Sequence, residues 1–241
     1  MKSNLACLLA LSALVLLGQG RDAHAQTTYI LTDTTIDYYI PGHVFIGRDD
    51  NGHFGSPTVN LVRGGDISNY AVLYDGVFNM SGGSIDSGGG RSNFGLVAIG
   101  GTVNLSGGFM DYLTSQEDST VNITGGSFGF LKAQNDSTVT IRGGRPDFLA
   151  AEDNSTLNLF GNNLQATLTG QIGGTKSYSL SGTLADGTDL AAADVDMSIS
   201  GSASFTLNTV PNAQVPEPGS LALLCGLGVV GAGLLRRKRR R

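Results

Sequence analysis

Acidic side chains recur near one repeated position of the chain, and paired carboxylates are the groups that acid–base catalysis on a glycosidic bond needs. They are Glu117, Asp118, Asp136, Glu152 and Asp153. These acids arise from a repeated sequence, lie in turn-type sequence and have no basic residue at a fixed offset. We therefore expect a solvated turn and no catalytic residues, with a polysaccharide-active enzyme as the alternative hypothesis.

Other residues with useful chemistry are sparse in the body of the chain. Its only histidines are His43 and His53, and no pattern links either one to a nucleophile. Cys7 and Cys225 both lie in the terminal segments, so the body has no thiolate for catalysis, disulfides or metal binding. Calcium bridging of stacked acids would need an unbroken column, and this one is interrupted at Asn154. We predict neither a metal site nor a cofactor.

Glycine pairs reveal an internal repeat. They occur at 64–65, 82–83, 107–108, 125–126 and 143–144, so the intervals are 18, 25, 18 and 18 residues. The long interval contains the Gly/Ser-rich stretch 87–95, which we interpret as a loop inserted into one repeat. Paired glycines fit a corner at which the backbone needs positive φ.

Aligning the repeats places aliphatic residues in three columns. The columns are Val103, Val121, Val139 and Leu157; Leu105, Ile123, Ile141 and Leu159; and Leu113, Leu131 and Leu149. The alternation in segments such as Thr-Val-Asn-Ile is typical of a half-buried strand. One 18-residue unit cannot bury such a face alone, whereas stacked units can. The fold class predicted is all-β: a parallel β-solenoid with 18-residue rungs, and right-handed because no aliphatic residue recurs every six positions.

The polar positions of the same strands form a candidate surface array. Its members are Thr102, Asn104, Thr120, Asn122, Thr138, Thr140, Thr156 and Asn158. On a flat face these would give regular rows of hydroxyls and amides, an arrangement that resembles ice-binding solenoids. The simpler interpretation is that Thr forms strands well and stacks on a solvated face.

An aromatic column, Tyr112, Phe130 and Phe148, adjoins the leucine column. A bend or the strand alternation must place one of the two columns inside. An exposed aromatic column would offer stacking surfaces to sugar rings. Because buried aromatics are commoner than exposed aromatic rows, the sequence favours placing the aromatic rings in the core.

The N-terminus has the three parts of a secretory signal. A charged start and an apolar run are followed by Ala23-His24-Ala25, which predicts a signal helix cleaved by signal peptidase between Ala25 and Gln26. Residues 26–215 hold seven basic and eighteen acidic residues, a net charge of −11. Such a surface repels nucleic acid, so no nucleic-acid partner is expected.

The C-terminus also has three parts. Val215-Pro216-Glu217-Pro218 precedes an uncharged stretch, 220–235, that as a helix would span roughly 24 Å at about 1.5 Å per residue. The cluster that follows cannot cross a membrane cheaply and should stay cytoplasmic. It consists of Arg236, Arg237, Lys238, Arg239, Arg240 and Arg241. The sequence thus predicts a transmembrane helix with a basic stop.

This C-terminal order closely resembles the PEP-CTERM sorting signal of Gram-negative bacteria. The resemblance implies that an exosortase-type enzyme recognises Pro216, Glu217 and Pro218. It also implies transient anchoring in the inner membrane, followed by delivery to the cell surface or outside, in company with exopolysaccharide and biofilm production. The glycine-pair repeats resemble those of autotransporter-like and PEP-CTERM surface proteins.

The predicted organisation has six parts: a signal peptide (1–25), an N-terminal β cap (26–57), β-solenoid repeats (58–164), a C-terminal β region (165–210), a linker (211–214) and a PEP-CTERM segment (215–241). The C-terminal β region is expected to contain antiparallel strands at 177–181 and 204–207. The function expected is that of an exported structural or adhesive protein, not an enzyme, with exopolysaccharide as its partner. A polysaccharide-active enzyme and an ice-binding protein are the second and third hypotheses.

Overall fold

A computed structural model describes residues 26–86, 95–191 and 193–210, and within them every regular element is a β-strand. The strands are β1 Thr27–Ile30, β2 Thr34–Ile36, β3 Tyr39–Ile40, β4 His43–Ile46, β5 Thr58–Leu61, β6 Asp66–Ile67, β7 Ala71–Leu73, β8 Val77–Ile85, β9 Leu96–Ala98, β10 Thr102–Ser115, β11 Thr120–Ala133, β12 Thr138–Ala151, β13 Thr156–Ile172, β14 Thr175–Leu184, β15 Asp196–Ile199 and β16 Ser204–Thr209. The predicted signal helix and transmembrane helix lie outside the described residues. In the described part, no helix is long and apolar enough to cross a membrane.

Each complete rung has three stretches that pair with the same stretches of its neighbours. In β11 they are Thr120–Ile123, 127–128 and 130–133, which we call the first, second and third faces. Corresponding residues of β10, β11 and β12 pair in parallel, 18 positions apart. This parallel stacking is consistent with the predicted β-solenoid, and its handedness stays a prediction.

The predicted aliphatic columns are confirmed. Val121 pairs with Val103 on one side and Val139 on the other, and Leu131 pairs with Leu113 and Leu149 in the same way. The side chains of all three predicted columns are at most 1% exposed. Stacking therefore buries what one rung alone would expose, and it builds one continuous core from Ile30 to Ile199.

Parallel pairing also extends beyond the predicted repeats at the N-terminal end. β2, β3 and β4 pair in parallel with β5, β6 and β7, and β1 pairs in parallel with β4. The region predicted as a cap, 26–57, therefore contributes rung segments of its own. Its glycine pairs are missing, and the loop 47–57 separates β4 from β5, so the 18-residue spacing cannot be seen there.

The C-terminal region combines both strand directions. β14, which contains the predicted strand 177–181, pairs antiparallel with β13 and with β15, as expected. The prediction for 204–207 is wrong, because β16 pairs in parallel with the start of β13. β16 continues the first face by one more rung, since its alternating Phe205 and Leu207 match Leu157 and Leu159 in register.

Two kinds of corner connect the faces. After the first face, Gly83, Gly108, Gly126 and Gly144 each have a φ between +75° and +89°, which confirms the expected positive φ at one glycine of these pairs. After the third face, Ser119, Ser137 and Ser155 are fully buried. Ser137 Oγ donates to the Ser115 carbonyl at 3.1 Å, and Ser155 Oγ donates to the Ala133 carbonyl at 3.1 Å. These side-chain-to-backbone bonds tie consecutive rungs together.

Candidate functional site

The acidic corner lies at the tips of the turns between the third and first faces. Its residues line an open depression of about 490 Å³: Glu117, Asp118, Asn135, Asp136, Asp153 and Asn154. All six residues are exposed, and the Asn154 amide donates to Asp136 Oδ1 at 3.3 Å. Stacking thus brings four of the five sequence-predicted acids together, each on a solvated turn.

Glu152 differs from the other acids. It lies beside the corner, where Oε2 accepts a hydrogen bond from Gln134 Nε2 at 3.0 Å and is 2.8 Å from Lys132 Nζ. Glu152 thus has a basic partner, but the pair does not recur at a fixed offset, because Thr114 and Ala150 occupy the Lys132 position in the neighbouring rungs. Lys132 precedes Glu152 by twenty residues, so the pair becomes visible only when rungs are stacked. Across the described residues, no group of three or more His, Cys, Asp or Glu side chains is arranged to hold a metal ion.

The eight residues of the predicted surface array all lie on the outward side of the first face. Each is partly buried. They form two rows in register across the rungs: Thr102, Thr120, Thr138 and Thr156, and Asn104, Asn122, Thr140 and Asn158. Parallel strands lie about 4.8 Å apart, so the array presents a polar group at each such step along two rows.

Four further residues belong to this array and were not predicted from the sequence. Asn60 and Asn79 extend the asparagine row at one end, and Ser204 and Thr206 extend the two rows at the other. The same alternation, Thr-Val-Asn-Leu at 58–61 and Val-Phe-Asn-Met at 77–80, was the available signal. Spacings of 19 and 25 residues obscured it.

The asparagine row is held by a chain of amide hydrogen bonds. Asn79 donates to Asn60 at 2.9 Å, Asn104 donates to Asn79 at 2.9 Å, and Asn122 donates to Asn104 at 3.0 Å. Each amide in the middle of the row is therefore oriented by two neighbours. The row is a fixed surface feature because rotating one amide would break both of its bonds.

Replacing Asn104 with Ala should lower the free energy of unfolding by about 1–3 kcal/mol, because two partly buried amide bonds are lost. Asn60→Ala is the matched control, since Asn60 makes one bond of the row. We expect the control to lose roughly half as much, about 0.5–1.5 kcal/mol. Urea denaturation of both variants measures the difference, and equal losses would show that the number of amide bonds removed does not set the loss.

The aromatic column lies on the outside, so the expectation that it enters the core is wrong. Leu113, Leu131 and Leu149 are fully buried, whereas Tyr112, Phe130 and Phe148 are half-buried on the outer surface of the third face. Neighbouring ring centroids are 5.0 and 5.1 Å apart. The rings stack on one another, which shields much of their surface from water.

A second aromatic group lies at the N-terminal end of the third face and was not found from the sequence. Tyr29 stacks on Phe45 at 5.6 Å, and Phe45 stacks on Tyr74 at 6.3 Å. Together with Arg48, Asp49 and Asp50 these rings line a cleft of about 250 Å³, which we call the end cleft. Its signal was a concentration of charged residues in the loop 47–57, just after an aromatic strand residue.

The charged residues of the end cleft are held by defined contacts. Asp49 accepts hydrogen bonds from the backbone N–H groups of Asn51 and His53, and its Oδ2 is 2.7 Å from His53 Nδ1. The His53 contact is the main cause that lowers the pKa of Asp49. The Arg48 guanidinium lies 5.4 Å from the ring centroids of both Phe54 and Tyr74.

Tyr29 should ionise at a higher pH than an ordinary tyrosine. Its hydrogen bond to Asp50, with smaller contributions from burial and the nearby negative charges, raises its pKa to about 12. Because the native pKa exceeds the ordinary value of about 10, this group's contribution to stability is complete below pH 10 and is lost as the pH rises towards 12. A tyrosinate absorbance titration compared with Tyr29→Phe measures it. Asp50→Asn should bring the pKa of Tyr29 down, and an unchanged pKa would contradict the hydrogen-bond assignment.

The predicted sorting and processing residues lie mostly outside the described part. They are the sorting motif (Pro216, Glu217 and Pro218), the signal-cleavage residues Ala23 and Ala25, and the basic cluster from Arg236 to Arg241. Gln26 is described: it is exposed, and its carbonyl accepts a hydrogen bond from the His43 N–H at 2.9 Å. The residue predicted to begin the mature chain thus enters the first rung directly.

Comparison with known proteins identifies one segment. A family model described as the PEP-CTERM protein-sorting motif matches residues 214–240, including Pro216, Glu217 and Pro218. No curated protein and no solved structure matches the chain. The chain therefore carries a PEP-CTERM sorting signal, which implies export with a membrane-transit step in a Gram-negative bacterium and processing by an exosortase.

Proposed function

We propose that this chain is an exported structural and adhesive protein of the cell surface or extracellular matrix, where it associates with exopolysaccharide. The observation that carries the proposal is the surface array of the first face, in which seven asparagine and threonine positions form one row from Asn60 to Thr206. A rigid row of amides and hydroxyls at regular steps suits many weak contacts with a repetitive polymer.

The net charge of the chain favours some classes of polysaccharide over others. Residues 26–215 carry a net charge of −11, which disfavours strongly anionic polysaccharides at low ionic strength. The outward side of the first face contributes Asn and Thr at the array positions, groups that both donate and accept hydrogen bonds. A neutral or weakly charged polysaccharide is therefore the partner that this surface favours.

A non-enzymatic role is part of the proposal. Four of the five candidate acids are exposed at turn tips in an open depression, where a substrate would be poorly enclosed. Hydrolases that use paired carboxylates need the two groups at a fixed separation across the bond. Reducing-sugar release from the host's exopolysaccharide tests this point, and turnover lost in Asp136→Asn would favour the enzyme instead.

The adhesive role is tested by retention of the full chain on immobilised exopolysaccharide from its host and on a panel of neutral glycans. Array variants with Asn104→Asp and Asn122→Asp place charges on the first face and should weaken retention, while Lys176→Gln on the exposed hairpin should not. A host lacking the protein should form an altered matrix. Absence of retention together with an unchanged matrix would refute the proposal.

The regular rows of hydroxyls and amides also make ice binding a second candidate function. The array extends over both rows in register, as a lattice match to ordered water would need. Thermal hysteresis measured with the same protein is the test. A hysteresis gap that disappears in the Asn104→Asp variant would favour this function over polysaccharide binding.

A further inference from the structure

We propose that the end cleft binds a single neutral sugar unit, separately from the array on the first face. The inference rests on the proposed function, because it names a second and more selective contact with polysaccharide. The loop 47–57, which lines part of the cleft, interrupts the regular connection between β4 and β5. The loop is not irregular chain: Arg48 and Phe54 form an antiparallel bridge, and Gly55 N–H donates to the Gly47 carbonyl at 3.0 Å.

The cleft combines apolar rings with both kinds of hydrogen-bonding group. Tyr29, Phe45 and Tyr74 provide the apolar wall. Arg48 offers only donors and the Asp50 carboxylate offers only acceptors, whereas both oxygens of Asp49 are already in hydrogen bonds within the loop. A sugar ring has C–H groups that pack on an aromatic surface and hydroxyls that donate and accept at once, so it satisfies all three parts of the cleft.

The donors of Arg48 are available to such a ligand. In the part of the chain that the structure describes, its guanidinium contacts the rings of Phe54 and Tyr74 and makes no ion pair with a carboxylate. Ring contacts on the guanidinium hold it in place and leave its in-plane N–H groups for hydrogen bonds. Asp50 lies next to Tyr29 in the same cleft and raises the pKa of the Tyr29 hydroxyl.

Other ligand classes fit less well. An anionic ligand such as a uronate would be repelled by the two adjacent carboxylates. A cationic ligand would compete with Arg48 for the rings of Phe54 and Tyr74. A volume of about 250 Å³ lies below the roughly 300–1,000 Å³ typical of pockets for drug-sized molecules, so one sugar unit is the appropriate size.

The test is isothermal titration calorimetry on the full chain, purified in detergent. The titrants are oligomers of neutral hexoses and oligogalacturonate. Arg48→Ala and Tyr74→Ala should each weaken binding of a neutral oligomer by about tenfold or more. Tyr112→Ala is the matched control, because it removes a stacked outer ring from the other aromatic group. Cooperative thermal unfolding of every variant verifies that each is folded.

The outcomes separate this inference from the proposed function. Binding that is weakened by both cleft variants and kept by Tyr112→Ala supports the cleft. Equal binding by the unchanged chain and the cleft variants overturns the proposed sugar site but not the proposed function. Retention on polysaccharide without binding of any oligomer has the same meaning. Stronger binding of oligogalacturonate overturns the preference for a neutral sugar. A chain that binds neither oligomers nor polysaccharide overturns both proposals.

Discussion

Deleting the eighteen residues 119–136 should give a folded protein that lacks one rung. The deletion joins Asp118 to Ser137 and so restores the same corner sequence, while β10 meets β12 with Val103 opposite Val139 and Leu113 opposite Leu149. Each rung makes nearly all of its contacts with the rungs beside it, so stability is close to a sum over rungs. At 0.05–0.15 kcal/mol per residue, the expected loss in the free energy of unfolding is about 1–3 kcal/mol.

Deleting Asn122 alone is the control, and it should be worse than deleting eighteen residues. Val121 and Ile123 would become adjacent, and adjacent strand residues point to opposite faces, so one of the two leaves the core. Exposing that side chain and breaking neighbouring backbone pairs should cost about 3–5 kcal/mol. Urea denaturation followed by circular dichroism compares the two. A deletion of 119–136 that fails to fold, or an Asn122 deletion that unfolds no more easily, would contradict stacking with an 18-residue register.

Replacing Gly126 with Ala should strongly destabilise the fold. Its φ is +89°, and a Cβ there would lie 3.1 Å from the Gly108 carbonyl oxygen and 3.2 Å from the Gly107 carbonyl carbon. Both neighbours are backbone atoms of the preceding rung, so neither can rotate away. We expect a loss of about 2–4 kcal/mol from backbone strain and the close contact.

Gly170→Ala is the matched control for Gly126→Ala. Gly170 lies in β13 with no atom within 4 Å of an added Cβ and has no positive φ. Alanine there should leave the free energy of unfolding unchanged or raise it slightly, by up to about 1 kcal/mol, because the unfolded chain loses freedom. Thermal unfolding of the two variants provides the comparison. Similar melting temperatures for both would show that the corner does not need glycine.

The repeat made the core columns and their register predictable, because alternation fixes the inward residues of the first face. The aromatic column shows where alternation is insufficient. Phe128 is buried and Phe130 is on the outside, although they are two positions apart and strict alternation would place both on one side. Gly129 lies between the second and third faces, and the inward phase changes there, since Phe128 and Leu131 are both buried. Sequence alone does not show where such a change of phase falls.

The end cleft could not be predicted for a different reason. Tyr29, Phe45 and Tyr74 come from three rung segments whose spacings are irregular, so no period brings them together. The acidic corner, in contrast, repeats every 18 residues, and stacking collected most of its predicted members. Features built by the repeat were accessible from sequence, whereas those built by its interruptions needed the pairing of the strands.

The direction of the outermost strands has a consequence for assembly. The third face begins with β1 and ends with β15, β14 and the outer half of β13, in that order. β14 is antiparallel to β15, and β13 is antiparallel to β14, so the outer half of β13 runs in the same direction as β1. Both strands are uncharged along 27–30 and 165–172, so neither carries the charge that commonly protects a sheet edge. Parallel pairing of β1 in one copy with the outer half of β13 in another would therefore need no reversal of strand polarity.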